Sequence, residues 1–284
     1  MIFPYTVDVP MERRPFANWL LIAGTILGTM MYWGSESYEH IFVLYRGEDF
    51  SALQLVGSLI GHANLGHLIG NMVALFVFGN AINAKLGHVL FLLFYAAVGV
   101  IEGLVWLAVG TGPATLGASG AIMGVIGAFL VMYPRNDISV FYWFTLMYAG
   151  SFEISAYWVI LCYVGLDIWG LVTSGNGAVN YIAHVAGAAA GFAIMWGLLA
   201  TRVITSDSDE MSLPEILKEN SRSKKPTSGK RHVAGGRKSS AGASEDWMNF
   251  PAPSDAPPSP PSPPSASTGH APRPAKGPRA SGRG

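Results

Sequence analysis

Residues 116–129, LGASGAIMGVIGAF, limit the folds open to this chain more than any other stretch. The run is apolar and glycine-rich, and a single serine, Ser119, stands at its N-terminal edge behind Gly117. Pro113 and Gly117 keep a helix from starting much earlier, and Pro134 with Arg135 ends it. About fifteen residues at roughly 1.5 Å each give some 22 Å, well short of a hydrocarbon core about 30 Å thick. One end of such a span stops inside the membrane. Backbone left unpaired at that depth is tolerated only where other protein surrounds it or where it lines a wet cavity. The Ser119 hydroxyl is therefore expected below the membrane surface, on a helix start whose free N–H groups favour negative charge.

A membrane setting follows from the remainder of the chain. Half of the residues are hydrophobic and 13% are charged, and six apolar segments can be drawn at 16–33, 65–82, 89–109, 119–133, 155–173 and 180–200. The expected fold is an all-α membrane bundle of six helices over residues 16–202, with a short fourth span. Residues 1–15 form an N-terminal cytoplasmic segment. From Thr205 the composition turns to Ser, Pro, Gly, Lys and Arg, so residues 203–284 read as a disordered basic tail unable to bury a core. Within it, PPSPPSPPS reads as a polyproline II linker and EDWMNF as a short docking peptide.

Residues 34–64 connect the first two spans and are too apolar around 50–60 for a solvated loop, so they are expected to rest partly in the interface. Residues 138–149, ISVFYWFTLMYA, are too short to span and read as an interfacial helix or strand beside the fifth span. The lone Cys162 excludes an internal disulfide and is expected as a small core residue.

Positive charges set the orientation. With the N-terminus inside, Arg13, Arg14, Lys85, Arg135, Arg202 and the basic tail are all cytoplasmic, and only Arg46 lies outside. A retained N-in first helix and the absence of a transit peptide point to the bacterial inner membrane, N-in and C-in. The net charge of zero names no partner and gives no ground for nucleic-acid binding.

Under this orientation Ser119 at the start of span four, His67 and Asn71 early in span two and His184 early in span six share one outer depth. Polar groups in hydrocarbon are costly unless paired and are functional candidates by default. In span six His184, Gly187 and Gly191 fall at i, i+3 and i+7, and span four offers Gly120, Gly124 and Gly127 at matching offsets. Small-xxx-small faces let membrane helices approach closely, which would bring Ser119 toward His184. A serine hydroxyl is a weak nucleophile until a base takes its proton, and imidazole suits that task near neutral pH. His67 and Asn71, four apart on one face, offer donors to an oxyanion, and His62 lies at the membrane mouth. Plainer readings exist. The serine and glycines can be packing alone, the histidines and asparagine can be interhelical hydrogen bonds, and His62 with His67 can ligate a metal, though no carboxylate or thiol lies nearby in sequence.

The runs LQLVGSLIGHANLGHLIGNM, LGASGAIMGVIGAFLVMYP and AHVAGAAAGF resemble, in order and spacing, the rhomboid intramembrane serine proteases, over residues 50–196. The resemblance implies a six-helix rhomboid core with Ser119 as nucleophile and His184 as general base, working as a dyad without cofactor or metal. His67 and Asn71 then match the oxyanion-hole residues, His62 the first histidine of the span-two motif, and Gly117 the glycine before the nucleophile. Substrates would be transmembrane segments of other proteins, cut near the outer face. Apart from the resemblance, residues 174–180, SGNGAVN, are flexible enough for a lid beside a movable span five, and a solvated glycine loop with no gating role explains them equally well.

Three positions depart from the family. Asn83 stands where many members carry an acidic residue. Met123 replaces an aromatic one turn after the nucleophile, which predicts weaker orientation of His184. A Trp–Arg pair in the first loop is not evident. No acidic third member of a triad stands close to His184 in sequence. Asp167 in span five and Glu102 in span three are the candidates, but Asp167 lies on another helix more than four helical turns earlier. Both are therefore expected to be structural, Asp167 as the anchor of a hydrogen bond, and Glu153 interfacial. A different class of function, a non-catalytic rhomboid-like protein that binds membrane clients, would fit the same scaffold, although such relatives usually lack the serine or the histidine. A small transporter would predict an internal repeat, and none is seen.

Overall fold

The six apolar segments fold as six helices whose ends fall within a few residues of the expected limits. The structure, a computed structural model, describes residues 2–145, 148–173, 180–206 and 210–223. In chain order the spans are α1 (Phe16–Gly34), α2 (Leu65–Leu86), α3 (His88–Val109), α4 (Ser119–Met132), α5 (Ala156–Thr173) and α6 (Tyr181–Ala200). Five are long and apolar enough to cross a membrane, and α4 is the short one. Asparagines start two of them. The Asn64 side chain accepts from the His67 N–H at 2.9 Å, and Asn180 accepts from the Ala183 N–H at 3.2 Å, each satisfying a first-turn amide that the helix itself cannot.

Helix α2 widens into a π-turn at Leu75–Gly79, where Asn18 of α1 gives its amide to Leu75 O and to Asn80 Oδ1, both at 2.9 Å. Asn83 accepts from the Asn18 N–H at 3.1 Å. The asparagine at the family's acidic position thus caps the first turn of α1.

Short strands fix which helix ends share a side. Strand β1 (Ile2–Val7) pairs antiparallel with β4 (Asp137–Thr145), and β4 with β5 (Tyr148–Ser155), so the N-terminus and the α4–α5 connection lie at one face. Strands β2 (Leu44–Tyr45) and β3 (Ala114–Thr115) join the α1–α2 and α3–α4 connections. Those connections lie at the other face, because α1 crosses once before β2. The segment read as interfacial helix or strand is thus β4 leading into β5. The sheet adds to the expected helical bundle. Pro4, which has no N–H to give, sits on the edge strand of this sheet, next to a register shift.

Nearly every residue of α4 is buried, from Gly120 through Met132. This is the environment that a truncated span requires, since its ends never reach water through lipid. The long connector also packs down, with Leu55 and Leu59 buried. Buried Gln54 donates to His40 O at 3.2 Å and Asp49 O at 3.0 Å and accepts from the Tyr45 and Ser51 amides, both at 3.2 Å. Arg46 donates to Trp106 O, and its guanidinium stands 4.8 Å from the Trp106 ring centre, a cation–π contact that ties the first loop to α3.

Two expectations need correction. The tail expected to lack structure from residue 203 begins with a helix, α7 (Leu213–Ser223). Ser212 starts it, donating its N–H and Oγ–H to Glu215 Oε2 at 2.9 and 2.7 Å, a local capping signal that the compositional reading passed over. Cys162 is exposed on α5 because only one stripe of that helix faces the bundle. The proline-rich run and EDWMNF lie outside the described residues.

Candidate active site

Helices α4 and α6 touch backbone to backbone. A methyl group at Gly187 would collide with Gly120 O, one at Gly191 with Gly124 O, and one at Gly124 would stand 3.0 Å from Gly187 O. No side chain fits between the helices at these levels, so only glycine permits the approach. The close contact sets Ser119, at the first turn of α4, opposite His184, at the first turn of α6. Ser119 Oγ lies 2.8 Å from His184 Nε2.

The other ring nitrogen is also engaged. His184 Nδ1 lies 3.0 Å from Asp167 Oδ1 on α5, with both side chains largely shielded. A carboxylate accepts only, so Nδ1 carries the proton and Nε2 presents its lone pair to the Ser119 hydroxyl. Asp167 belongs to the stripe Ala156, Ile160, Asp167 and Gly170 by which α5 meets the bundle. At Gly170 any side chain would run into the Tyr181 ring, and that ring stands edge-on to His184 at 6.5 Å between centres.

The donors expected from α2 are held from behind. His62 is fully buried. Its Nδ1 lies 3.0 Å from Ile60 O and 3.1 Å from Thr29 Oγ1, and its Nε2 lies 2.9 Å from Asn71 Nδ2. The network assigns the Nδ1–H tautomer, with Nε2 accepting one amide hydrogen of Asn71 and leaving the second for the cavity. Burial pushes the His62 pKa down to about 4, so the ring stays neutral and keeps that acceptor. The His67 ring packs edge-on against His62, with centres 4.9 Å apart.

Gly117 adopts a φ of +127°, and a methyl there would stand 2.7 Å from His67 Cε1. Both facts require glycine before the serine. Its N–H donates to Ser58 O at 2.8 Å, and Asn180 Nδ2 donates to Thr115 Oγ1 at 3.0 Å. These bonds pin the turn that delivers Ser119. No side chain caps α4, so its first amides are free to meet a ligand oxygen. Ser119, His184, His67, Asn71, Gly117, Gly120 and Glu102 line one cavity of about 570 Å³ at the face opposite the N-terminus.

The geometry brings Ser119, His184, His67 and Asn71 to one cavity, places the two acids Asp167 and Glu102 beside it, and adds Tyr181, which was not assigned from the sequence. Asp167 hydrogen-bonds His184 across α5 and α6. Glu102 walls the cavity beneath Gly120, where a methyl would stand 2.6 Å from its carboxyl carbon. Tyr181 flanks the imidazole. An ionisable group inside an apolar span is a signal in itself, but which helix it faces depends on packing angles that sequence spacing does not give. Most of the connector read as a lid, residues 174–179, lies outside the described residues.

The Rhomboid domain family matches residues 49–201 of the chain. Rhomboid-like protein 11, chloroplastic, from Arabidopsis thaliana is 28% identical over 204 residues, covering 70% of this chain and 71% of that protein. Rhomboid protein 1, mitochondrial, from Saccharomyces cerevisiae is 30% identical over 166 residues, 56% of this chain and 45% of the relative. The putative rhomboid protease YdcA of Bacillus subtilis is 34% identical over 87 residues, 30% of this chain and 44% of the relative. The chain thus matches less than half the length of the latter two. The matched domain takes in α2 through α6 and with them all the cavity residues named above, and on that ground the chain is a multi-pass membrane protein belonging to the rhomboid family.

Proposed function

We propose that the protein is an intramembrane serine endopeptidase that hydrolyses peptide bonds in or next to transmembrane segments of other membrane proteins. The observation that carries this reading is the 2.8 Å contact between Ser119 Oγ and His184 Nε2 inside a cavity that also presents amide and imidazole donors. Ser119 attacks the scissile carbonyl carbon while its proton passes to His184 Nε2. The carbonyl oxygen, now an oxyanion, is met by the Asn71 amide, the His67 ring and the Ser119 N–H. One such donor contributes on the order of 2.7–4 kcal/mol to transition-state stabilisation. Collapse of the tetrahedral intermediate expels the amine, which takes the proton back from His184. Water then attacks the acyl-enzyme with His184 again as base, releasing the acid and restoring Ser119.

His62 supports Asn71, and Gly117, Gly120, Gly124, Gly187 and Gly191 hold the reacting side chains at contact distance. Peptide bonds inside a helix are shielded, so substrates with Gly or Pro in the spanning segment, which unwind at lower cost, are the expected class. The curated relatives are chloroplastic and mitochondrial as well as bacterial and give no preference for the bacterial inner membrane. Support for an N-in, C-in orientation is the distribution of Arg and Lys.

Reconstitution with a tagged single-span substrate tests the proposal. Wild-type protein is expected to cleave it and Ser119→Ala to leave it intact. Cleavage that survives in the variant overturns the assignment of the nucleophile. A wild-type protein that binds the substrate without cutting it would be the client-binding relative instead.

A further inference from the structure

The Ser–His dyad that the family resemblance implies leaves the second imidazole nitrogen without an assigned task, and in this chain that nitrogen faces a carboxylate at 3.0 Å. Asp167 is the one charged side chain in the segment AYWVILCYVGLDIWGLVT. Its neighbours on the helix include the exposed Leu166, Ile168 and Trp169, as befits a surface turned to lipid. A carboxylate at this depth costs several kcal/mol unless it is paired. If closing α5 against α6 were its whole task, an apolar residue on the stripe of Ala156 and Ile160 would pack without that cost.

We infer that Asp167 is a positioning residue for the proposed hydrolysis, so that the site works as a Ser119–His184–Asp167 triad. The inference rests on the serine-protease reading given above. Asp167 does two things through His184. It holds the proton on Nδ1, which keeps the Nε2 lone pair aimed at the Ser119 hydroxyl. When Nε2 then takes the serine proton, the ring becomes an imidazolium, and the carboxylate balances that charge in a site with few other anions. Of the ionisable groups around the ring, Glu102 walls the other side of the cavity, His67 and His62 come from α2 and the loop before it, and Tyr181 presents a ring edge. Asp167 alone among them is within hydrogen-bonding reach of His184 in the contacts described. The same contact offsets the departure at Met123. An aromatic at that position would orient the imidazole from α4, and here Asp167 with the Tyr181 edge orients it from the α5 and α6 side.

Asp167→Asn, Asp167→Glu and Ser119→Ala, measured side by side in full-length protein, test the triad. The readouts are kcat and KM on a tagged single-span substrate, thermal unfolding in detergent, and the rate of Ser119 labelling by a fluorophosphonate. In the labelling step the Oγ–P bond forms, fluoride leaves with the electron pair, and the hydroxyl proton goes to His184. Asparagine keeps the size of the side chain but can donate to Nδ1 and so turn the ring to the unproductive tautomer. Loss of kcat by about 10²-fold or more, slower labelling in proportion and KM within about threefold support the triad.

Asp167→Glu, which restores the carboxylate, is expected to recover part of the rate. Asp167→Asn with wild-type kcat and labelling overturns the inference and leaves a dyad with a structural clasp. Where Asp167→Asn unfolds at lower temperature, the Glu variant decides. Recovery of activity with the carboxylate supports the triad, and equal loss in both variants overturns it. Cleavage persisting in Ser119→Ala would sink the protease reading instead, so the two failures are distinguishable.

Discussion

At the scale of single residues the site consists of polar groups whose second contact fixes what their first contact can do. His62 shows this away from the reacting atoms, where its two nitrogens fix the amide plane of Asn71 through Ile60, Thr29 and the asparagine itself. Its folded-state pKa, pushed by burial from 6.5 to about 4, has a consequence for stability. Below about pH 6.5 the unfolded chain takes up a proton that the native site refuses, so native stability falls as pH drops from 6.5 toward 4 and is insensitive to this group above that window. Thermal unfolding in detergent across pH 4–7 is expected to show a steeper fall in wild-type than in His62→Gln. Equal slopes would mean that the ring is solvated. These side chains were legible in sequence because each is polar within or at the mouth of an apolar helix. Asp167 was legible as one of two acid candidates, but not that it rather than Glu102 meets His184, since the contact joins two helices packed through Gly170 and the ring of Tyr181.

At the scale of elements the decisive contact is α4 against α6. Gly187 and Gly191 are required by carbonyl oxygens, and backbone cannot turn aside as a side chain can. Gly191→Ala is expected to destabilise the bundle by about 1–3 kcal/mol and to cut proteolysis by widening the Ser119–His184 separation. Gly197→Ala on the same helix, where a methyl meets nothing within 4 Å, is expected to change neither. Unfolding temperatures and cleavage rates for the two variants check this. The helix limits were readable from Pro113, Gly117 and Pro134 around α4 and from the length of the apolar runs; the asparagine caps of α2 and α6 were not read. The π-turn in α2 was not readable, because Asn18 of another helix stabilises it. The capping box of α7 was in plain view at Ser212 and Glu215, but the composition of the tail outweighed it.

At the scale of the whole molecule the strand pairings and the number of spans agree. β1 with β4 puts the N-terminal strand and the α4–α5 connection at one face, and β2 with β3 puts the cavity mouth at the other. In a Cys162→Ser background, cysteines introduced at Glu12 and Lys218 are expected to react with an impermeant thiol reagent from one side of sealed vesicles, and a cysteine at Glu48 from the opposite side. Labelling of Glu12 and Lys218 positions from different sides would contradict six crossings. The sheet was the least legible feature, since IFPYTV contains a proline and its partner strand is remote in sequence.

That remoteness also orders the birth of the protein. Ile2–Val7 leaves the ribosome before all six helices, yet the strand it pairs with follows the fourth, Ile2 opposite Tyr142. This strand must wait without its partner through four insertion events, and its capture marks the moment when the serine-bearing helix has been seated.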